Sequence, residues 1–583
     1  MTQQSPQPTT EQTAQPLLQV RGLRTGFRRP DGSTFVAADG VSFSLEEGRA
    51  LAIVGESGSG KSVTVRSLLR LLPKTASILD GEVLYRGQDL VTTAPSKLRR
   101  VRGQEIGMVF QNAMEALNPT IPVIKQLAEA LTWHDLCSRR EARRRAVQVL
   151  EEVGIPDAAH RASMYPFQFS GGMRQRAMIA MAIISSPRLV IADEPTTALD
   201  VTVQAQVLDL LAQIKEQGTG MIMVTHDLGV ARRFCDDVIV MHQSTVVESG
   251  TIQEVLDDPQ DPYTQMLLAA TLETGRTTRH VPIQAVPEGS GPGAEDAGSD
   301  PGTGSAPPPG QSAGGAGLTA GSARRPSSAQ PIIIAKNLHK TFHTSGGEIP
   351  AVQDVSLQIK PGSTLGLVGE SGSGKSTVAR LVMGLYEPDE GSVHLDGVDV
   401  HSKAAHEHRN RMQMVFQNPH GSLIPQYTAG TNITEALRLQ KIGTKSERIE
   451  RAAELLRLVG LSPDDAQRYP QQFSGGQQQR IAIARALAPE PEVLVCDEPT
   501  SSLDVSIQAQ ILDLLEEIQS RLGVAYLLIS HNLAVVEKMS DTVSVMRHGK
   551  IVEHGDRDEV FANPQHPYTH QLLDAILPVR AAA

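Results

Sequence analysis

The octapeptide Gly-Glu-Ser-Gly-Ser-Gly-Lys-Ser occurs twice in the chain, at 55–62 and at 369–376. A G-x-x-x-x-G-K-S spacing can cradle phosphate. Its glycines let successive backbone N–H groups curl round an anion, its lysine reaches the terminal phosphates, and its serine hydroxyl suits Mg2+. Gly55, Ser57, Gly58, Gly60, Lys61, Ser62 and Val63 make up the first loop and helix start, and Gly369, Ser371, Gly372, Gly374, Lys375, Ser376 and Thr377 the second. An ordinary glycine turn is the alternative, but two full matches in the same context weigh against it.

Asp193-Glu194 and Asp497-Glu498 follow the apolar runs 189–192 and 493–496. At the carboxyl edge of a parallel sheet the aspartates suit Mg2+, and Glu194 and Glu498 can polarise a water for attack on a phosphate. Such a pair alone is more often a solvated strand end; its recurrence at a matched distance from a phosphate loop makes the chemical reading the stronger one. His226 and His531 end two further apolar runs, where imidazole can hold a phosphate oxygen and a water together. Ser170-Gly171-Gly172 and Ser474-Gly475-Gly476 precede helical stretches, Met173 onward and Gln477 onward, so each half has a second anion-binding helix start. One nucleotide per half leaves that start in surplus, unless each half offers it to the nucleotide held by the other. Lys61 would then work with Ser474, and Lys375 with Ser170.

These residues need parallel strands to hold them, and the runs 51–54 and 365–368 read as buried strands entering the loops. The copies stand 314 residues apart at the lysines and 304 to 306 apart at the later motifs, so the first half carries about eight extra residues early on. In Glu288–Gln330, 32 of 43 residues are Gly, Pro, Ser or Ala, a composition that builds no core. The expected organisation is a disordered tail at 1–16, one domain at 17–273, a linker at 274–330 and a second domain at 331–583. As a flexible coil the linker spans on the order of 35 Å, enough for the halves to meet.

The 583 residues carry a net charge of −11, which argues against a chain built to coat nucleic acid. Three scattered cysteines, Cys137, Cys235 and Cys496, indicate neither a disulfide framework nor a zinc module. The polar start lacks the form of a secretion signal, and the longest apolar candidate, 177–192, is broken by Ser185, Ser186, Pro187 and Arg188, short of the ~18 residues a span needs. If the protein works at a membrane, other chains span it. His401, His406 and His408 read as a solvated loop rather than a metal site, and Arg139, Arg140, Arg143, Arg144 and Arg145 as an exposed helix face, with a permease loop or lipid contact as alternative.

On these motifs both halves resemble ABC (ATP-binding cassette) ATPase domains. The resemblance implies an α/β fold of two tandem P-loop NTPase domains, each with a mainly parallel core sheet, an antiparallel β subdomain and a helical subdomain. It makes Phe169-Ser170-Gly171-Gly172 and Phe473-Ser474-Gly475-Gly476 signature loops, and Gln111 and Gln417 Q-loop residues that join the Mg2+ sphere. Ala198-Leu199-Asp200 and Ser502-Leu503-Asp504 become D-loops. Phe27 and Phe342 fall where the family stacks a ring on adenine.

Finer matches are similar to the peptide/nickel importer branch: Tyr165-Pro166, Leu117-Asn118-Pro119, Asp261-Pro262-Tyr263-Thr264 and His566-Pro567-Tyr568-Thr569. Departures are Ile424 in place of the Asn of Leu-Asn-Pro, and Asn532 where the first half has Asp227. Many members carry a Cys-rich tail after Pro-Tyr-Thr; neither copy has a cysteine there, so no iron–sulfur cluster is expected. The resemblance implies ATP and Mg2+ as cofactors, two transmembrane permease subunits and an extracytoplasmic solute-binding protein as partners, an intramolecular head-to-tail cassette pair, and a peripheral place on the cytoplasmic face of the cell membrane. Peptide import is the leading expectation, nickel or another small solute the next, and a soluble tandem cassette acting on ribosome or DNA the alternative of another class.

Overall fold

The computed structural model describes residues 15–196, 201–271, 330–344, 347–402, 405–501 and 503–576. The expected tail, linker and first D-loop lie almost wholly outside them.

Each half is built round one six-stranded sheet, and alternation within its strands explains why. Strand Ala50–Val54 is buried at every residue. Ala50, Ala52 and Val54 face a core made with helices Val201–Glu216 and Leu228–Phe234, while Leu51 and Ile53 face a second core shared with helix Lys61–Leu68 and the antiparallel strands. A strand covered on both faces must be apolar throughout, which is why these segments read as continuous runs rather than alternating ones. The order across the first sheet is Thr245–Thr251, Asp237–His242, Ala50–Val54, Gly220–Val224, Leu189–Asp193 and Ile106–Val109, parallel except for the hairpin strand Thr245–Thr251. In the second half the same order is Lys550–Asp556, Thr542–Arg547, Thr364–Val368, Ala525–Ile529, Val493–Asp497 and Met412–Val415.

A four-stranded antiparallel sheet accompanies each core, ordered Thr34–Leu45, Leu18–Arg28, Ala76–Tyr85, Gln88–Asp89 in the first half and Gly347–Ile359, Ile333–Thr344, Glu390–Leu395, Val398–Asp399 in the second. Helices Val123–Trp133, Arg139–Glu152 and Gly171–Ile183 form a separate apolar cluster through Leu127, Leu131, Leu150, Phe169 and Ala177. Arg139, Arg140, Arg143, Arg144 and Arg145 lie on the exposed face of that middle helix, which buries Ala142, Ala146 and Leu150 instead. The expected three-part α/β architecture is thus present twice. Among the described residues no helix is long and apolar enough to cross a membrane.

Candidate active site

Close approach, not flexibility, dictates the first glycine of each loop. A Cβ on Gly55, at φ +143°, would sit 2.1 Å from the Met241 carbonyl oxygen, and one on Gly369, at φ +149°, 2.1 Å from that of Met546. Gly60 and Gly374 precede helices Lys61–Leu68 and Lys375–Val382 in the left-handed region. The lysines fold back over their own loops: Lys61 Nζ donates to Gly55 O at 2.7 Å and Glu56 O at 2.8 Å, and Lys375 Nζ to Gly369 O at 2.6 Å and Glu370 O at 2.8 Å. Burial lowers the Lys61 pKa, against the carboxylates of Glu194, Asp504, Asp193 and Glu56, which hold the proton on.

The acidic pair arrives from the next strand but one, beyond Gly220–Val224 in the first half and Ala525–Ile529 in the second. Asp193 and Asp497 are the last residues of strands Leu189–Asp193 and Val493–Asp497, and accept from Ser62 Oγ at 2.8 Å and Ser376 Oγ at 3.1 Å. Burial raises both aspartates' pKa values; the serine bonds oppose it, as does Arg66, whose guanidinium lies 3.3 Å from Asp193. Glu194 and Glu498 adopt positive φ, 49° in each, a conformation that costs a non-glycine residue on the order of 1 kcal/mol and clusters at functional sites. Their carboxylates accept from Gln111 Nε2 at 2.8 Å and Gln417 Nε2 at 2.7 Å. His226 Nδ1 lies 3.7 Å from Glu194, and His531 Nδ1 3.1 Å from Glu498. The Glu194 carboxylate beside it raises the His226 pKa against the effect of burial. Burial pushes Glu498 up, but the His531 bond and the charge of Lys375 outweigh it and leave the net pKa lowered.

Lysine, serine, aspartate, glutamate, glutamine and histidine therefore converge in each half. Ser170 and Ser474 cap their own helices, accepting from Met173 N–H and Gln477 N–H at 3.3 Å, so the helix starts expected at 173 and 477 lie at Gly171 and Gly475. Phe27 and Phe342 are half-buried on antiparallel strands, Phe27 opposite Phe35 and Ala76, Phe342 edge-on to Tyr386 at 5.7 Å.

Across the halves, Asp504 Oδ1 accepts from Ser57 N–H at 2.7 Å, and the Ser506 hydroxyl donates to Glu56. Asp504 had been expected in a D-loop, whereas Ser506 and Glu56 carried no functional expectation. Arg66, Tyr263 and Tyr568 were also missed as site neighbours. The last two stood in the sequence only as markers of resemblance, and their repetition after a proline in both halves was the available signal.

The donor set offered to a divalent ion is all oxygen: the hydroxyls of Ser62 and Ser376, the carboxylates of Asp193 and Asp497, and the amide oxygens of Gln111 and Gln417. Hard oxygen ligands of this kind, few in number, fit Mg2+ bound together with phosphate.

A P-loop at a strand–helix junction, an acidic pair two strands along the sheet and a paired Gln and His, all twice over, define a tandem nucleoside triphosphatase. The ABC transporter family model matches residues 38–197 and 352–501, and a model of the oligopeptide/dipeptide transporter C-terminal region matches 247–296 and 552–583. The chain is 42% identical over 585 residues to a peptidoglycan transport ATP-binding protein of Agrobacterium fabrum, covering 98% of each chain. It is 42% identical over 582 residues to a glutathione import ATP-binding protein of Escherichia coli O157:H7, covering 96% of this chain and 89% of that one. A solved dimeric bacterial ABC transporter cassette aligns with 40% of this chain and 98% of its own at 27% identity and TM-score 0.37. The chain belongs to the ABC transporter family. It is a tandem ATP-binding cassette protein that hydrolyses ATP.

Proposed function

We propose that the chain is the peripheral ATPase of a peptide importer, on the cytoplasmic face of the cell membrane, with two permease subunits and a solute-binding protein as separate partners. Support for transport comes from near full-length similarity to import ATP-binding proteins, and for peptide-like cargo from the match to an oligopeptide/dipeptide C-terminal region in both halves. The boundaries we assign are 17–273 and 331–583, joined by the linker at 274–330.

The carrying observation is the Gln–Glu–His cluster beside each phosphate loop. Lys61 and Lys375 leave their loop carbonyls to hold the γ-phosphate, while the loop N–H groups hold the β-phosphate. Glu194 and Glu498 exchange the glutamine bond for a water, take its proton as it attacks, and are oriented by His226 and His531. Ser62, Asp193 and Gln111, with Ser376, Asp497 and Gln417, would hold Mg2+, which supplies charge neutralisation at the phosphates. Phe27 and Phe342 stack on adenine. In the closed state the halves meet head to tail, with Ser170, Gly171 and Gly172 facing the second nucleotide and Ser474, Gly475 and Gly476 the first; the Asp504 and Ser506 contacts to the first loop support this arrangement.

Segments 112–131 and 418–437 receive the permease loops. The test is reconstitution of the chain with the permease pair and binding protein in vesicles, following ATP hydrolysis against uptake of a dipeptide, glutathione or Ni2+. Peptide-stimulated hydrolysis with uptake, and crosslinking from position 422 to a permease, are expected; hydrolysis stimulated by Ni2+ alone, or capture only through the linker, overturns the assignment.

A further inference from the structure

In each half one peptide plane is gripped at both ends. The Gly55 carbonyl accepts from Lys61 Nζ at 2.7 Å, and the Glu56 N–H of that same peptide unit donates to the Tyr263 hydroxyl at 3.0 Å. The second half repeats the arrangement: Gly369 O accepts from Lys375 Nζ at 2.6 Å, and Glu370 N–H donates to the Tyr568 hydroxyl at 3.1 Å. A peptide unit is rigid and planar, so fixing its N–H fixes the direction of its carbonyl. We infer that the tyrosine of each Pro-Tyr-Thr motif is a positioning residue for the phosphate-loop lysine, acting through that shared peptide plane.

Both tyrosines are held as a positioning residue must be. Each is buried, and each sits one residue inside a helix whose first turn is fixed by Pro262 or Pro567 and by a cap, Asp261 Oδ1 or His566 Nδ1 accepting from the tyrosine's own N–H. The ring face is covered by residues at matched positions: His242 stacks on Tyr263 at 3.9 Å between centroids, and the Arg547 guanidinium lies 4.5 Å from the Tyr568 ring centre. Different covers over an unchanged hydroxyl contact indicate that the hydroxyl is the functional end. The helices also reach across the molecule. Pro262–Ala270 packs on Val505–Leu522 of the second half, and Pro567–Asp574 on Val201–Glu216 of the first.

The inference rests on the reading of Lys61 and Lys375 as phosphate-binding, and the test separates the two. Full-length chain is titrated with a fluorescent ATP analogue up to millimolar concentrations in four forms: unaltered; Tyr263→Phe with Tyr568→Phe; Lys61→Ala with Lys375→Ala; and all four changes together. Phenylalanine keeps the ring and its stacking but removes the acceptor. Loss of one such bond should weaken binding about 3- to 10-fold where the lysines are present and less than about 2-fold where they are absent, because groups acting as a unit are not additive. The nucleotide-free melting temperature should stay within a few degrees of the unaltered chain. Unchanged binding in the phenylalanine form, or an equal loss in both lysine backgrounds, overturns the inference while leaving the lysine reading intact. Undiminished binding in the lysine form overturns both.

Discussion

At position 118 the first half carries asparagine and at the matched position, 424, the second carries isoleucine, yet the backbone is pinned identically. Gln126 Oε1 accepts from Asn118 N–H at 2.9 Å and its Nε2 donates to Asn118 O at 2.9 Å; Asn432 does the same for Ile424 at 2.8 and 3.1 Å. The bracket is the invariant of this turn, and the side chain inside it is free to change. The residue after each histidine teaches the same lesson about geometry and a different one about charge. Asp227 Oδ1 and Asn532 Oδ1 both cap the following helix, accepting from N–H groups two residues on at 2.9 and 3.0 Å. Only Asp227 adds a negative charge near its histidine. Two copies of one site can therefore share a helix cap and still differ in the charge beside the histidine.

The sharpest way to break the equivalence of the halves is to silence them one at a time. Glu194→Gln with Glu498→Gln should keep ATP binding and lower turnover by roughly 10²- to 10⁴-fold, the usual loss with a general base. The single changes compare the halves: equal residual rates mean equal turnover, while a residual rate near that of the unaltered chain in one single variant marks its half as the weaker engine. Unchanged hydrolysis in the double variant removes the water-activating role.

The next comparison tests which residues share a site. Lys61→Ala with Ser474→Arg should damage one composite site and leave the other chemically complete, whereas Lys61→Ala with Ser170→Arg should damage both. Photocrosslinked nucleotide at each loop reads this directly. Indistinguishable occupancy for the two pairs removes the head-to-tail arrangement.

How legible was all this in the sequence? The strands were, because a run buried on both faces has no polar residue to blur it; 51–54 and 189–192 each fall one residue short of the strands found, since Ala50 and Asp193 look like flanking positions in a linear reading. The phosphate loops and acidic pairs were legible because their chemistry is packed into consecutive residues. Tyr263 and Glu56 were not: they lie 207 residues apart, and only the fold shows that one accepts from the other's backbone. The Gln126 bracket was missed for the opposite reason, since its partner is only eight residues away but in a turn where periodicity carries no signal.

That bracket gives a smaller effect and a mirror-image control. Gln126→Ala should leave the N–H and C=O of Asn118 without their bracketing partner and cost about 1–3 kcal/mol in urea unfolding of the full chain, and Asn432→Ala should cost the same in the second half. Asn118→Ile copies the second half and should cost less than either, because it loses only the side-chain bonds to Thr120 at 3.0 and 2.7 Å. An asparagine change as costly as the glutamine change would place the invariant in the wrong residue.

The smallest effect isolates charge from geometry. His226 has a raised pKa in the folded chain, so its protonation contributes stability that is fully present below its unfolded value, about 6.5, and is lost as pH rises through the folded value. Asp227→Asn keeps the helix cap, as Asn532 does in the second half, but removes one of the anions that hold the proton on. The folded value should then fall toward 6.5, and the variant should lose stability relative to the unaltered chain at low pH while matching it once His226 is neutral in both. The His226 side chain is 37% exposed, so solvent screening limits the difference to a few tenths of a kcal/mol. Histidine proton NMR of the full chain titrated through this range reads the His226 pKa itself. If Asp227→Asn leaves the His226 titration where it was, Asp227 takes no part in holding that proton, and its charge has no consequence at the site.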